Sequence, residues 1–197
     1  MPADSTSPTR VVIAEDEAII RLDLKELLQE EGYDVVGETG RGDEAIELVR
    51  RLRPELVILD IKMPGLDGLS AARQIAGERL SAVLMVTAFS QRELVEQARD
   101  AGALAYLVKP FQKSDLIPAI EVALGRFAEL TSLEREVEDL QGRLEARKVI
   151  DRAKGKLMDD HEMAEQDAWR FLQQSAMTNR VRIDEIAQQV LDGALTP

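Results

Sequence analysis

Over the first 110 positions, apolar residues gather in short, almost unbroken runs at 11–14, 34–37, 56–59, 82–86 and 104–108. Such runs, rich in Val, Ile and Leu, suit strands buried on both faces rather than strands with one wet side. Between them lie stretches with helical spacing of apolar positions, at 18–31, 43–52, 69–78 and 91–101. Gly32, Gly40, Pro54, Gly65 and Gly102 punctuate the boundaries. Five βα units predict an α/β doubly wound, five-stranded parallel sheet. Ligands of such sheets bind beyond the carboxyl ends of the strands.

From Ser114 the pattern turns purely helical, with Ser114 or Asp115 able to cap the start and Pro118 in or just past the first turn. Leu130, Leu133, Val137, Leu140 and Leu144 step by three and four, a seam of about two heptads. It is either a short coiled coil between two chains or a stripe lying against its own domain. A polar turn is expected at 159–162, followed by helices at 165–176 and 183–191 whose apolar residues, Trp169 included, are read as core. The chain therefore divides into a flexible segment 1–9, an α/β domain 10–122, a linker helix 123–145 and a small all-α three-helix domain 146–197.

Composition narrows the classes. With 45% apolar residues among 197, a real core can form, and disorder is not expected. There is no cysteine, and His161 is the lone histidine, so thiol chemistry and His-based metal sites or triads are unfavoured. No apolar run approaches the roughly 20 residues of a membrane span, and the N-terminus lacks a signal-peptide core. A cytoplasmic location fits. The net charge of −12 argues against a coat for nucleic acid or membrane. One window departs from it. Positions 143–156 hold Arg143, Arg147, Lys148, Arg152, Lys154 and Lys156 against Glu145 and Asp151. A basic block within an acidic protein is a candidate polyanion site, although a solvated helix face would look the same by charge alone.

The strand ends carry the sharper signal. Glu15 and Asp16 follow the first run, Asp60 the third, Thr87 the fourth and Lys109 the fifth. In a doubly wound sheet the first and third strands are neighbours, so the three acids converge. Converging carboxylates repel unless a cation joins them, and an all-oxygen donor set suits Mg²⁺. A hydroxyl and an ammonium beside one carboxylate make a site for a transferred phosphoryl group.

Residues 9–120 resemble a response-regulator receiver domain through Val-Val-Ile-Ala-Glu-Asp-Glu (11–17), Leu-Asp-Ile-Lys-Met-Pro-Gly-Leu-Asp-Gly (59–68), Val-Thr-Ala (86–88) and Lys-Pro-Phe (109–111). The resemblance implies a flavodoxin-like fold with Asp60 as phosphoacceptor. It implies Mg²⁺ held by Asp16, Asp60 and the Lys62 carbonyl, with Glu15 acting through water. Thr87 and Lys109 would contact phosphoryl oxygens, Tyr106 would be the switch aromatic, and Lys109–Pro110 would be cis. The implied protein is a phosphoacceptor assisting its own Mg²⁺-dependent phosphorylation by a sensor histidine kinase, not an enzyme in the usual sense.

Residues from about 130 to 192 resemble the ANTAR domain through Ala153-Lys154-Gly155-Lys156-Leu157-Met158, Ala168-Trp169, Leu172, Ala176 and Ile186-Ala187. Trp169 stands where Tyr or Phe is commoner, and Lys156 where an apolar residue is common. This resemblance implies binding to structured leader RNA and transcription antitermination, in the context of elongating RNA polymerase. Candidate RNA contacts are Lys148, Arg152 and Lys154, then Arg147, Lys156 and Arg143. The seam adds a phosphorylation-dependent homodimer to the expectations. Competing outputs are a DNA-binding or purely protein-interacting helical domain. A candidate DNA-recognition helix at 183–191 is poor in bases, with Asp184 and Glu185 in it and Asp192 just beyond. A phosphatase would want an acid where Lys62 stands.

Overall fold

The computed structural model describes residues 7–197; most of the segment 1–9, expected to be flexible, lies outside them. The strands are β1 (Arg10–Ala14), β2 (Asp34–Thr39), β3 (Leu56–Leu59), β4 (Ala82–Thr87) and β5 (Ala105–Val108). They form one parallel sheet in the order β2-β1-β3-β4-β5. Helices α1 (Ala18–Glu30), α2 (Gly42–Leu52), α3 (Gly68–Gly77) and α4 (Arg92–Asp100) make the crossovers. After β5 come α5 (Lys113–His161), α6 (Glu165–Asn179) and α7 (Ile183–Leu191). This is the architecture the hydrophobic pattern predicts.

The unbroken apolar runs follow from two-sided burial. Val12, Ala14, Val57, Leu59, Val83 and Met85 point to one face, where they meet Ala45, Ile46 and Val49 of α2 and Ala71, Ala72 and Ile75 of α3. Their alternates Val11, Ile13, Leu56, Ile58, Leu84 and Val86 meet Leu24 and Leu28 of α1 and Leu116, Ile120 and Ala123 of α5. The strand period of two thus serves two cores at once.

The chain separates into two compact units, one ending at Ser132 and one spanning Leu133–Pro197. In the second, Ala153 and Leu157 of α5, Ala168 and Leu172 of α6 and Ile186, Ala187 and Val190 of α7 form a closed three-helix core. No helix among the described residues is long and apolar enough to cross a membrane.

Three local expectations are corrected. Helix α5 starts at Lys113, so Ser114 lies inside it; Asp115 reaches back to accept from the Gln112 N–H at 2.9 Å, the acidic half of a capping box. The polar run 159–161 is the last turn of α5, because polar residues do not end a helix, and the break falls at Glu162 with φ 55°. Trp169 is 39% exposed and is not part of the core; Phe171 packs against that core instead. Along α5 the seam residues Leu130, Leu133, Val137, Leu140 and Leu144 are 48–56% exposed, so they do not form a stripe covered by their own domain.

Leu157→Ala removes a side chain that is 1% exposed at the centre of the second core. It is expected to cost about 2–5 kcal/mol there. Hydrogen exchange should show residues of α6 and α7 losing protection while β1, β3 and β4 keep theirs. Uniform loss across both units would contradict the separation.

Candidate functional site

The strand order reverses direction between β1 and β3, and the functional side chains gather at that crevice. The Asp60 N–H donates to the Ala14 carbonyl at 2.9 Å, fixing the end of β3 against the end of β1. Carboxylate oxygens of Glu15, Asp16 and Asp60 lie within 4.8 Å of one another. Glu15 and Asp60 are buried and Asp16 is exposed. Lys109 arrives from β5, its backbone N–H bonded to the Thr87 carbonyl at 2.8 Å. Its ammonium donates to Glu15 Oε2 at 2.5 Å and Asp60 Oδ2 at 2.9 Å.

Burial pushes the Glu15 carboxyl above its ordinary pKa, and the Lys109 contacts cancel only part of that rise. For Lys109, burial works against the charged form, but the bonds to Glu15 and Asp60 together outweigh it and the ammonium is held above its ordinary value. One cation between three carboxylates leaves the crevice short of positive charge. An all-oxygen cluster of this kind fits a hard divalent ion.

Thr87 is fully buried, its hydroxyl oxygen 3.4 Å from the Phe89 N–H. The Tyr106 phenol donates to the Phe89 carbonyl at 2.6 Å. Burial, helped by the negative charge of Asp60, raises its pKa. The Lys62 ammonium lies 4.2 Å from the centre of the Phe89 ring, a cation–π contact. Lys109–Pro110 is cis, as expected. The structure thus brings Glu15, Asp16, Asp60 and Lys109 together and sets Thr87, Phe89, Tyr106 and Lys62 in a connected rim.

The basic block resolves into two stripes. At about 100° per residue, Arg143, Arg147 and Lys154 share a line along α5, and Lys148, Arg152 and Lys156 fall nearly opposite. The first stripe joins Trp169 and Arg182 around a concavity of about 450 Å³. Most of the cations have exposed acidic neighbours: Arg143 with Asp139 at 2.7 Å, Lys148 with Glu145 at 2.7 Å and Lys156 with Asp160 at 2.6 Å. Lys154 bonds Asp151 at 3.0 Å and Glu165 at 2.9 Å, and its side chain is only 18% exposed. Among the described residues, Arg152 has no carboxylate within ion-pair distance.

Residues 11–121 match the response regulator receiver domain family, and residues 138–191 match the ANTAR domain. The chain is 56% identical over 195 residues to the transcriptional regulatory protein PdtaR of Mycobacterium tuberculosis, covering 99% of this chain and 95% of that protein. The chain belongs to the receiver–ANTAR response regulators. Over the receiver alone it is 38% identical across 112 residues to the chemotaxis protein CheY of Thermotoga maritima, covering 56% of this chain and 93% of that protein. Among solved structures, the BeF₃-activated receiver domain of RstA from Klebsiella pneumoniae superposes with a TM-score of 0.55 at 29% identity, covering 58% of this chain and 97% of that one. A CheY-like receiver protein from Methanospirillum hungatei gives 0.58 at 27% identity, covering 62% and 98%.

Three parts of this receiver–ANTAR regulator's sites escape the sequence. Arg182 lies outside the basic window and reaches the concavity only through the α6–α7 turn. The Lys62–Phe89 contact joins two separate loops. Gly68 enters the sequence reading only as the last residue of the 59–68 motif, yet a Cβ there would lie 1.8 Å from the Asp60 carbonyl oxygen. Gly68→Ala is therefore expected to displace the Asp60 backbone, costing about 1–3 kcal/mol and slowing phosphoryl uptake. Thermal melts and acetyl phosphate labelling check both; unchanged labelling would show that the loop absorbs the methyl group.

Proposed function

We propose that Asp60 accepts a phosphoryl group from a sensor histidine kinase and that the helical output then binds structured leader RNA to promote transcription antitermination. The observation carrying the first half is the Lys109 ammonium held 2.9 Å from Asp60 at the end of β3, with Glu15 and Asp16 beside it. An Asp60 carboxylate oxygen attacks the phosphorus of a phosphohistidine. The O–P bond forms as the P–N bond breaks, and the departing imidazole takes a proton from water. Lys109 lies within reach of a phosphoryl oxygen on Asp60, and the Thr87 hydroxyl, buried at the end of β4, is the second donor. Asp16, Asp60 and the Lys62 carbonyl would hold Mg²⁺, with Glu15 acting through water. The ion supplies the positive charge that the three carboxylates lack.

Phe89 offers no strong acceptor to orient a hydrolytic water, and the Lys62 side chain lies over its ring. This pair favours a long-lived acyl phosphate. Engagement of Thr87 by the phosphoryl group would draw on the same loop that bonds Tyr106, coupling the site to β5 and the start of α5. The exposed seam 130–144 supports a second copy of the chain as the partner gained in the phosphorylated state.

Asp60→Asn keeps the shape of the side chain and loses the nucleophile. It should take up no acyl phosphate, and acetyl phosphate should shift the sedimentation of the parent but not of the variant. Hydroxylamine-sensitive label on the variant would refute Asp60 as acceptor.

For the output, the basic stripes on a match to the ANTAR family carry the reading. Reversing Lys148 and Arg152 to Glu should weaken binding to hairpin leader RNA. It should also flatten the slope of log affinity against log salt by roughly 1.4–1.8, at about 0.7–0.9 per lost phosphate contact. Phosphorylation should proceed normally. Equal affinity at low and high salt would make that stripe a solvated face and leave Arg143 and Arg147 as the alternative.

A further inference from the structure

The turn between β2 and α2 adds no carboxylate to the acidic crevice, yet both loops that do lie against it. On one side is the β1–α1 loop. The Glu15 N–H donates to the Thr39 carbonyl at 3.0 Å. The Glu15 carbonyl, in the peptide that joins Glu15 to Asp16, accepts from Arg21 Nη1 at 2.5 Å. A Cβ on Gly40 would lie 3.4 Å from Asp16 Cα and 3.5 Å from that same nitrogen, so the turn backs onto the peptide that Arg21 holds. The guanidinium is held in its turn by Glu38 near the end of β2, with Arg21 Nε 3.7 Å from the carboxylate.

On the other side is the loop 60–67 between β3 and α3. Gly42, the first residue of α2, meets this loop backbone to backbone. A Cβ on Gly42 would lie 2.1 Å from the Leu66 carbonyl oxygen and 2.9 Å from its carbon. No side chain fits there unless the loop moves. The turn is itself tied down, since the buried Thr39 hydroxyl donates to Glu44 at 2.6 Å and accepts from the Arg41 N–H at 3.2 Å.

Mg²⁺ demands near-ideal octahedral geometry. An ion held by Asp16 on one loop, and by Asp60 and the Lys62 carbonyl on the other, is therefore sensitive to the spacing of the two. We infer, on the Mg²⁺ reading of the crevice, that the β2–α2 turn is the spacer that sets this separation, with Gly42 and Arg21 as positioning residues. Neither supplies a ligand. Gly42 acts through the Leu66 backbone, and Arg21 acts through the Glu15–Asp16 peptide. Glycine at 42 serves the loop and not the helix, because alanine is the better helix former.

Full-length parent, Gly42→Ala, Gly40→Ala and Arg21→Gln are titrated with Mg²⁺ by calorimetry, well below each thermal melt and without phosphoryl donor. Each is then labelled with acetyl phosphate over a range of Mg²⁺ concentrations. Gly42→Ala should weaken Mg²⁺ binding about tenfold. It should label slowly at low Mg²⁺ and at the parent's rate at saturation. Gly40→Ala adds a methyl group that meets only ordinary contacts, and it should bind like the parent. Arg21→Gln should also weaken binding. Loss of a cation beside the crevice would by charge alone tighten the hold on a divalent cation, so weaker binding reports lost position. If Gly42→Ala fails to fold, Arg21→Gln decides. Parent affinity in Gly42→Ala or Arg21→Gln, or tighter binding in Arg21→Gln, overturns the spacer and leaves the Mg²⁺ reading in place. Slow labelling of Gly42→Ala that persists at saturating Mg²⁺ also overturns it, because the defect then lies at Asp60 and not at the ion. Equal losses in Gly40→Ala and Gly42→Ala overturn it too, since any methyl group on the turn would then suffice. A parent that binds no Mg²⁺ overturns both the spacer and the reading beneath it.

Discussion

The receiver site depends on one ammonium placed between carboxylates. Lys109 comes from the end of β5, yet it neutralises groups at the ends of β1 and β3, across the end of β4. Its backbone bond to Thr87 sets the register that allows this reach. Without it, Glu15 and Asp60 would be buried carboxylates with no local counter-charge, an arrangement that costs free energy. Glu15 is already pushed up by burial even with Lys109 in contact. Three carboxylates share one ammonium, and added positive charge, from a divalent ion, would relieve a repulsion that the fold itself creates.

That arrangement is legible in sequence because parallel sheets leave little freedom. Each unbroken apolar run has to be a strand covered on both sides, and each strand then ends at the same edge of the sheet. A polar residue just after such a run falls on that edge whatever the intervening helices do. Asp60, Thr87 and Lys109 could be placed together for this reason. Edge strands are less constrained: β2 and β5 are only half-buried, and β2 runs two residues beyond the pattern, where β1 and β4 differ from it by one and β3 not at all.

The output unit is harder to read, for two physical reasons. A charge count along a window sums around the helix, so it cannot separate the stripe of Arg143, Arg147 and Lys154 from that of Lys148, Arg152 and Lys156. Helical spacing of apolar residues likewise cannot tell a core position from the lip of a groove. Trp169 follows Ala168 and precedes Leu172 by three, a spacing a core residue would share, yet it sits at the margin of the buried stripe. Two helix ends were misplaced for a different reason. The left-handed positions Glu162 and Arg180 are not glycine, so the punctuation that marks most boundaries is absent at both.

The overall charge bears on how such an output would choose its ligand. A net charge of −12 repels a polyanion at long range only in low salt, because beyond the screening length of about 8 Å at physiological salt exposed charges are largely screened. On the proposed reading, the net charge then offers an RNA no long-range attraction, and non-specific binding gains nothing from it. What remains favourable is short-range: basic side chains already in place on α5, weakly held by exposed carboxylates. Most of the basic residues on α5 are matched with acids, so each phosphate contact has to displace an ion pair of similar strength. On the proposed reading, each backbone contact then gains little, and binding needs several of them at once. On that reading, the acidity of the chain and the pairing of its cations would together disfavour an RNA that meets only one or two of them.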